Sequence, residues 1–152
     1  MNAPILKGLL FTAWALALAA AQAAPAAATG TALITQRDGT SKSYANVRIA
    51  IADGSMAVTS ADGRGMLVIG KAACTKVNEL VRCLPYDATL FQYGEKVRIQ
   101  LQSGTVWLNP TDSMQTLTHS SAQLPPRGVL MLIKTKAGTY VSLTGKADEV
   151  IK

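Results

Sequence analysis

The chain has 152 residues, with 15 Lys and Arg against 9 Asp and Glu for a formal charge of +6, and it is 49% apolar and 16% charged. One domain's worth of chain, rich in Val, Ile and Leu, excludes wholesale disorder and a coiled coil. Two cysteines and one histidine leave a four-ligand structural zinc site short of donors, and 5% aromatic residues with no recognisable module speak against nucleic-acid binding.

Met1 to Lys7 carries one positive charge, and Gly8 to Ala21 (GLLFTAWALALAAA) then runs without a charged side chain to Ala21-Gln22-Ala23. The apolar stretch is about 14 residues, whereas a membrane-crossing helix needs about 20, and a small-x-small signature follows it directly. This predicts a signal peptide over residues 1–23, cleaved after Ala23, with an uncleaved anchor as the alternative. The protein is then exported, periplasmic or extracellular, and keeps no stable membrane span after cleavage. Residues 24–30 (APAAATG) read as a flexible lead-in, 31–147 as one all-β domain, and 148–152 as a C-terminal tail.

Strands are expected near 31–37, 43–52, 55–60, 65–70, 88–92, 95–102, 105–109, 128–136 and 139–145, because apolar residues alternate there between glycine-containing corners. The corners are Asp38-Gly39, Asp53-Gly54, Asp62-Gly63-Arg64-Gly65, Tyr93-Gly94, Ser103-Gly104 and Ala137-Gly138. Val47 to Val58 (VRIAIADGSMAV) aligns with Val97 to Leu108 (VRIQLQSGTVWL), and Met131 to Ser142 and Ala32 to Ser43 follow the same scheme more loosely. Either a meander resembles itself or a hairpin has duplicated. A two-residue Asp53-Gly54 loop sets Ile51 opposite Met56 and Ile49 opposite Val58. The same rule at Ser103-Gly104 sets Leu101 opposite Val106, Ile99 opposite Leu108 and Trp107 opposite Gln100. Tyr140 falls on the core face by this pattern. Short, regularly punctuated strands predict an antiparallel β-sandwich or a partly open β-barrel of about eight or nine strands built from hairpins.

Cys74 and Cys83 are expected to form a local disulfide in an oxidising compartment. The segment between them (CTKVNELVRC) has a hint of helical period in Val77, Leu80 and Val81. Such a ring, with Arg82 and the adjacent Leu84-Pro85-Tyr86, would suit a stiff recognition loop. Trp107 is placed with Arg98, Gln100 and Gln102 on the face away from Ile99 and Leu101, where an indole beside Arg and Gln suits stacking against a sugar or a protein. The bland alternative is that Trp107 lies under a second apolar layer. Pro110 to Pro126 reads as a long polar connection containing His119, with Asp112 nearby, but no nucleophile elbow accompanies them. Phosphate, dinucleotide and calcium motifs are absent, so neither cofactor nor metal is expected.

The chain therefore reads as a non-enzymatic binding or structural module of the cell envelope. Its partner would be another envelope or secreted protein, or an anionic surface polymer. The alternatives are an inhibitor of a secreted hydrolase that presents the Cys74–Cys83 loop, and a small hydrolase using His119. Candidate contact residues are Trp107, Arg98, Gln100, Arg82 and Leu84.

Overall fold

The computed structural model describes residues 26–52, 55–92, 94–117 and 121–147. The expected signal peptide, the Asp53-Gly54 corner, Tyr93, His119 and the tail lie outside them. The strands are β1 (Ala26–Thr35), β2 (Ser41–Ala52), β3 (Ser55–Thr59), β4 (Gly65–Val77), β5 (Leu80–Gln92) and β6 (Glu95–Ile99). They continue with β7 (Leu101–Asn109), β8 (Gln115–Thr116), β9 (Gln123–Leu124), β10 (Gly128–Thr135) and β11 (Tyr140–Ala147).

Sheet order is β4-β3-β2-β1-β11-β10-β7-β5-β6, and a further β4–β5 pairing joins the two ends. β6 and β7 share one edge of β5: Glu95–Ile99 lies against Ala88–Gln92, and Val106–Leu108 against Val81–Cys83. They act as one strand bent at Gln100. Of the two all-β alternatives the chain adopts the barrel, and the barrel is closed, with eight strands and every pairing antiparallel. Successive strands are neighbours throughout, apart from the short β8–β9 pair, so connections stay local, and edge stays open mainly where β2 and β4 outrun the short β3, at Ser41–Val47 and Gly70–Val77.

The inside is filled by alternate residues along the strands, with a change of phase in β2 and in the β4–β5 pair. Ile49, Ile69, Val129, Met131 and Leu143 are each 1% exposed or less. β2 and β3 pair as the Asp53-Gly54 loop demands, Ile51 with Met56 and Ile49 with Val58. A one-residue slip would turn this whole apolar row outward.

Several expectations are overturned. Ser103 and Gly104 are not a corner; they lie within β7, opposite Lys134 and Ile133. Gly104 serves close packing instead, since a Cβ there would sit 2.8 Å from Pro85 Cγ and 3.0 Å from Ile133 Cγ2. The proposed internal repeat therefore pairs a hairpin with a bent strand. Trp107 opposes Leu130 and Arg82, not Gln100.

Cys74–Cys83 is no helix but the end of the long β4–β5 hairpin, turning at Asn78-Glu79 with Asn78 at φ 54°. The helical hint came from a strand with apolar residues on both faces: Val81 packs with the barrel core, and Leu80 packs outside with Leu124 and Leu130. Tyr140 is 50% exposed, because Thr135 to Thr139 form a longer corner than the expected two-residue loop and put Tyr140 opposite Lys134 on the outer face. β1 also reaches back to Ala26, into the expected lead-in. These small residues pair with β2 and β11, and Ala28 is buried.

Candidate functional site

Four corners gather at one end of the barrel: Gln36–Thr40, Ser60–Gly65, the β5–β6 turn and Lys136–Thr139. Three of them are prescribed locally. In the first and last, the Gln36 amide donates to the Thr40 carbonyl and the Thr135 amide to the Thr139 carbonyl, closing a three-residue loop whose third residue, Gly39 or Gly138, takes φ +87° or +92°. Asp38 Oδ1 accepts from the Thr40 hydroxyl at 2.6 Å and its amide at 2.9 Å. Asp62 Oδ1 accepts from the Ser60 hydroxyl at 2.6 Å and the Arg64 amide at 3.0 Å. Those bonds, the hydroxyl first in each case, hold both carboxyl groups below their ordinary pKa.

The rim is cross-tied. The Lys136 amide donates to the Gln100 carbonyl at 2.9 Å, joining the β10–β11 corner to the bend in β6–β7. The Thr139 hydroxyl donates to Gln36 Oε1 at 3.1 Å, joining it to the β1–β2 corner.

Within this rim opens a cavity of about 820 Å³. Its apolar wall includes Ile34, Tyr44, Leu67, Leu90, Val97, Ile99, Ile133 and Val141, and its polar lining includes Gln36, Gln92, Gln100 and Thr135. Lys42 and Lys136 also line it, Arg98 touches it from the outward row of β6 opposite Thr89, and no carboxylate among the described residues lines it. Val97 faces Leu90 across β5–β6 yet is 50% exposed, so apolar wall meets solvent at the mouth. Ala32, Leu143 and Met131, paired in one row and each 7% exposed or less, close the floor. The Lys42 ammonium stands 5.1 Å from the Tyr44 ring centroid, a cation–π distance. A second cavity, about 440 Å³, adjoins at Lys42, Tyr44 and Gln92 and carries Asp62 and Arg64.

The residues singled out in the sequence separate into three places. Arg98 and Gln100 are at the mouth. Arg82 and Trp107 lie on the outer face, with the Arg82 guanidinium 5.9 Å from the indole centroid. Trp107 is half-buried there, in one cluster with Leu80, Leu130, Leu124, Leu117 and Ala122. Leu84, 45% exposed, lies on β5 beyond the disulfide. The mouth residues Lys42, Tyr44 and Val97 escaped sequence reasoning. Lys42 and Tyr44 are out of phase with the inward Val47, Ile49 and Ile51, because the shifted β1–β2 register and Asn46 at φ 56° turn that part of β2 over.

Cys74 and Cys83 are bonded across a directly opposed pair, with Cα atoms 4.0 Å apart. The bond fits maturation in an oxidising compartment. Among the described residues no helix is long and apolar enough to cross a membrane. Compared with known proteins, the chain matches no family model, no curated protein and no solved structure.

Proposed function

We propose that the protein is an exported, non-enzymatic binding module whose working surface is the barrel mouth. One observation carries this reading: a closed barrel whose interior is solid at mid-height leaves an apolar-walled cavity of about 820 Å³ at one end, within the 300–1,000 Å³ typical of small-molecule sites. Local hairpins hold the mouth open, so little ordering accompanies binding. Export rests on the N-terminal pattern and the disulfide.

The test is titration with a neutral apolar dye such as N-phenyl-1-naphthylamine. One site per chain is expected. Val97→Trp, placed where the wall already meets solvent, should weaken the dye at least tenfold, while Leu84→Ser should leave it unchanged. Dye binding indifferent to Val97→Trp overturns the mouth as the site.

The inhibitor reading keeps one supporting observation, the exposure of Leu84 and Tyr86 beside a stapled hairpin. Stoichiometric capture of an envelope hydrolase that Leu84→Ser abolishes would favour it.

A further inference from the structure

Resting on the mouth as a binding site, we infer the chemistry of its ligand: a single-chain amphiphile of medium length with one anionic headgroup, tail inward. Three features of the cavity select it. The first is charge. Lys42, on the inward row opposite Ile34, and Lys136 come from two different hairpins and stand on one lining with no carboxylate among its described residues, and neither makes a salt bridge within the described residues. Arg98, opposite Thr89, is on the outward row of β6; Asp62 belongs to the neighbouring cavity, and Glu95, opposite Gln92 on the row of Val97 and Ile99, sets one acid at the rim against the two lysines. A low-dielectric wall behind the two cations focuses their field outward and favours an anion at the entrance.

The second feature is the polarity gradient. Lys42, Gln36, Gln92, Thr139 and Lys136 stand at the strand ends, and Ile34, Leu67, Leu90, Ile133 and Val141 lie behind them. A ligand polar at one end and apolar at the other satisfies both zones, whereas a sugar or a peptide would leave polar groups against the inner wall, where they find few partners.

The third is depth. Each wall strand, counted from its rim corner, offers two inward residues before the floor: Gln36 just past β1 then Ile34, Thr135 then Ile133 on β10, and Thr139 just before β11 then Val141. Two such residues span four positions, about 13 Å along the strand at roughly 3.3 Å each and about 10 Å of depth at the usual barrel tilt of about 40°. A tail can gain contacts to that depth and no further, because Ala32, Leu143 and Met131 fill the space beneath.

The experiment is calorimetric titration of the purified protein with hexanoate, octanoate, decanoate and hexadecanoate, and with octanol and octylamine as uncharged and cationic counterparts. Affinity should rise about fourfold per added methylene from hexanoate and then level off, rather than climbing through hexadecanoate. Octanoate should bind at least tenfold more tightly than octylamine. The double variant Lys42→Gln, Lys136→Gln should weaken octanoate at least fivefold and leave octanol unchanged, and raised salt should mimic it. Octylamine binding as well as octanoate, or a double variant without effect on octanoate, overturns the anionic headgroup. Affinity that keeps rising to hexadecanoate overturns the medium length. Failure of the underlying reading looks different: then octanol and the neutral dye do not bind at the mouth either.

Discussion

Asn109 is fully buried, and its amide ties Thr111 and Ser113 at the start of the 110–126 connection to Pro125 near its end. Its Nδ2 donates to the Ser113 carbonyl and, at 3.2 Å, to the Pro125 carbonyl. Its Oδ1 accepts from the Thr111 amide at 3.2 Å and hydroxyl at 2.9 Å. A side chain with two donors and one acceptor oxygen is thereby used in full. Asn109→Ala strands these partners and should cost about 2–3 kcal/mol, read from the urea midpoint at unchanged slope. Asn109→Asp should cost more, because it sets a carboxylate oxygen against two carbonyls. Nothing in the sequence marked Asn109, since an Asn before a Pro reads as an ordinary turn residue. Arg82 escaped in a different way: it was offered as a contact, yet its Nε is buried without a hydrogen-bond partner beside the Trp107 ring.

Among the elements, the β4–β5 hairpin shows most clearly where period and turn chemistry diverge. Its strands pair from Gly65 opposite Gln92 to Val77 opposite Leu80, and the disulfide joins one rung near the tip. The core faces change phase along the way: Ile69 and Ala88 are inward near the mouth, whereas Ala72 and Cys83 pack on the core further along, with Pro85 between. Alternation therefore breaks in mid-strand, and a pattern of period two is lost on the reader. The recoverable signal was symmetry, for Cys74 and Cys83 are equidistant from Asn78-Glu79 and Asn suits the first position of a tight hairpin loop. Closing a ring of about ten residues contributes at most about 3 kcal/mol. The double variant Cys74→Ser, Cys83→Ser should therefore lose that much or less and keep its β circular dichroism, because the remaining rungs still fix the register. A wholly unfolded spectrum would show that the bond, and not the pairing, specifies the hairpin.

At the scale of the whole molecule, closure depends on the β1–β11 seam, where Gly30 lies opposite Gly145. A register shift in β1–β2 between Gly30 and Ala32 bends the sheet at the same level. A Cβ on Gly145 would stand 2.5 Å from Ile49 Cδ1 and 3.3 Å from the Thr29 carbonyl oxygen, with Ile49 only 1% exposed. Gly145→Ala should thus cost about 1–3 kcal/mol by overpacking. Adding Ile49→Val, which removes the clashing methyl, should recover part of that loss, a coupling readable in thermal melts as a double-mutant cycle. The outer face of the seam mixes exposed polar Thr29, Thr31, Arg48, Thr144 and Lys146 with exposed Leu33, Leu132 and Tyr140 around an apolar interior.

Local chemistry by itself determined the all-β class, most strand positions, the β2–β3 register and the cysteine pair, because alternation and tight corners act over a few neighbouring residues. Only tertiary structure decided that the sheet closes, since β1 meets β11 across more than a hundred residues of chain. Closure in turn made β6 and β7 one bent strand, packed Leu117, Ala122 and Leu124 with Trp107, and brought Lys42 and Lys136 to one mouth. Cations on two separate hairpins become a site only once the ring is shut, and no property of a single segment encodes that distance.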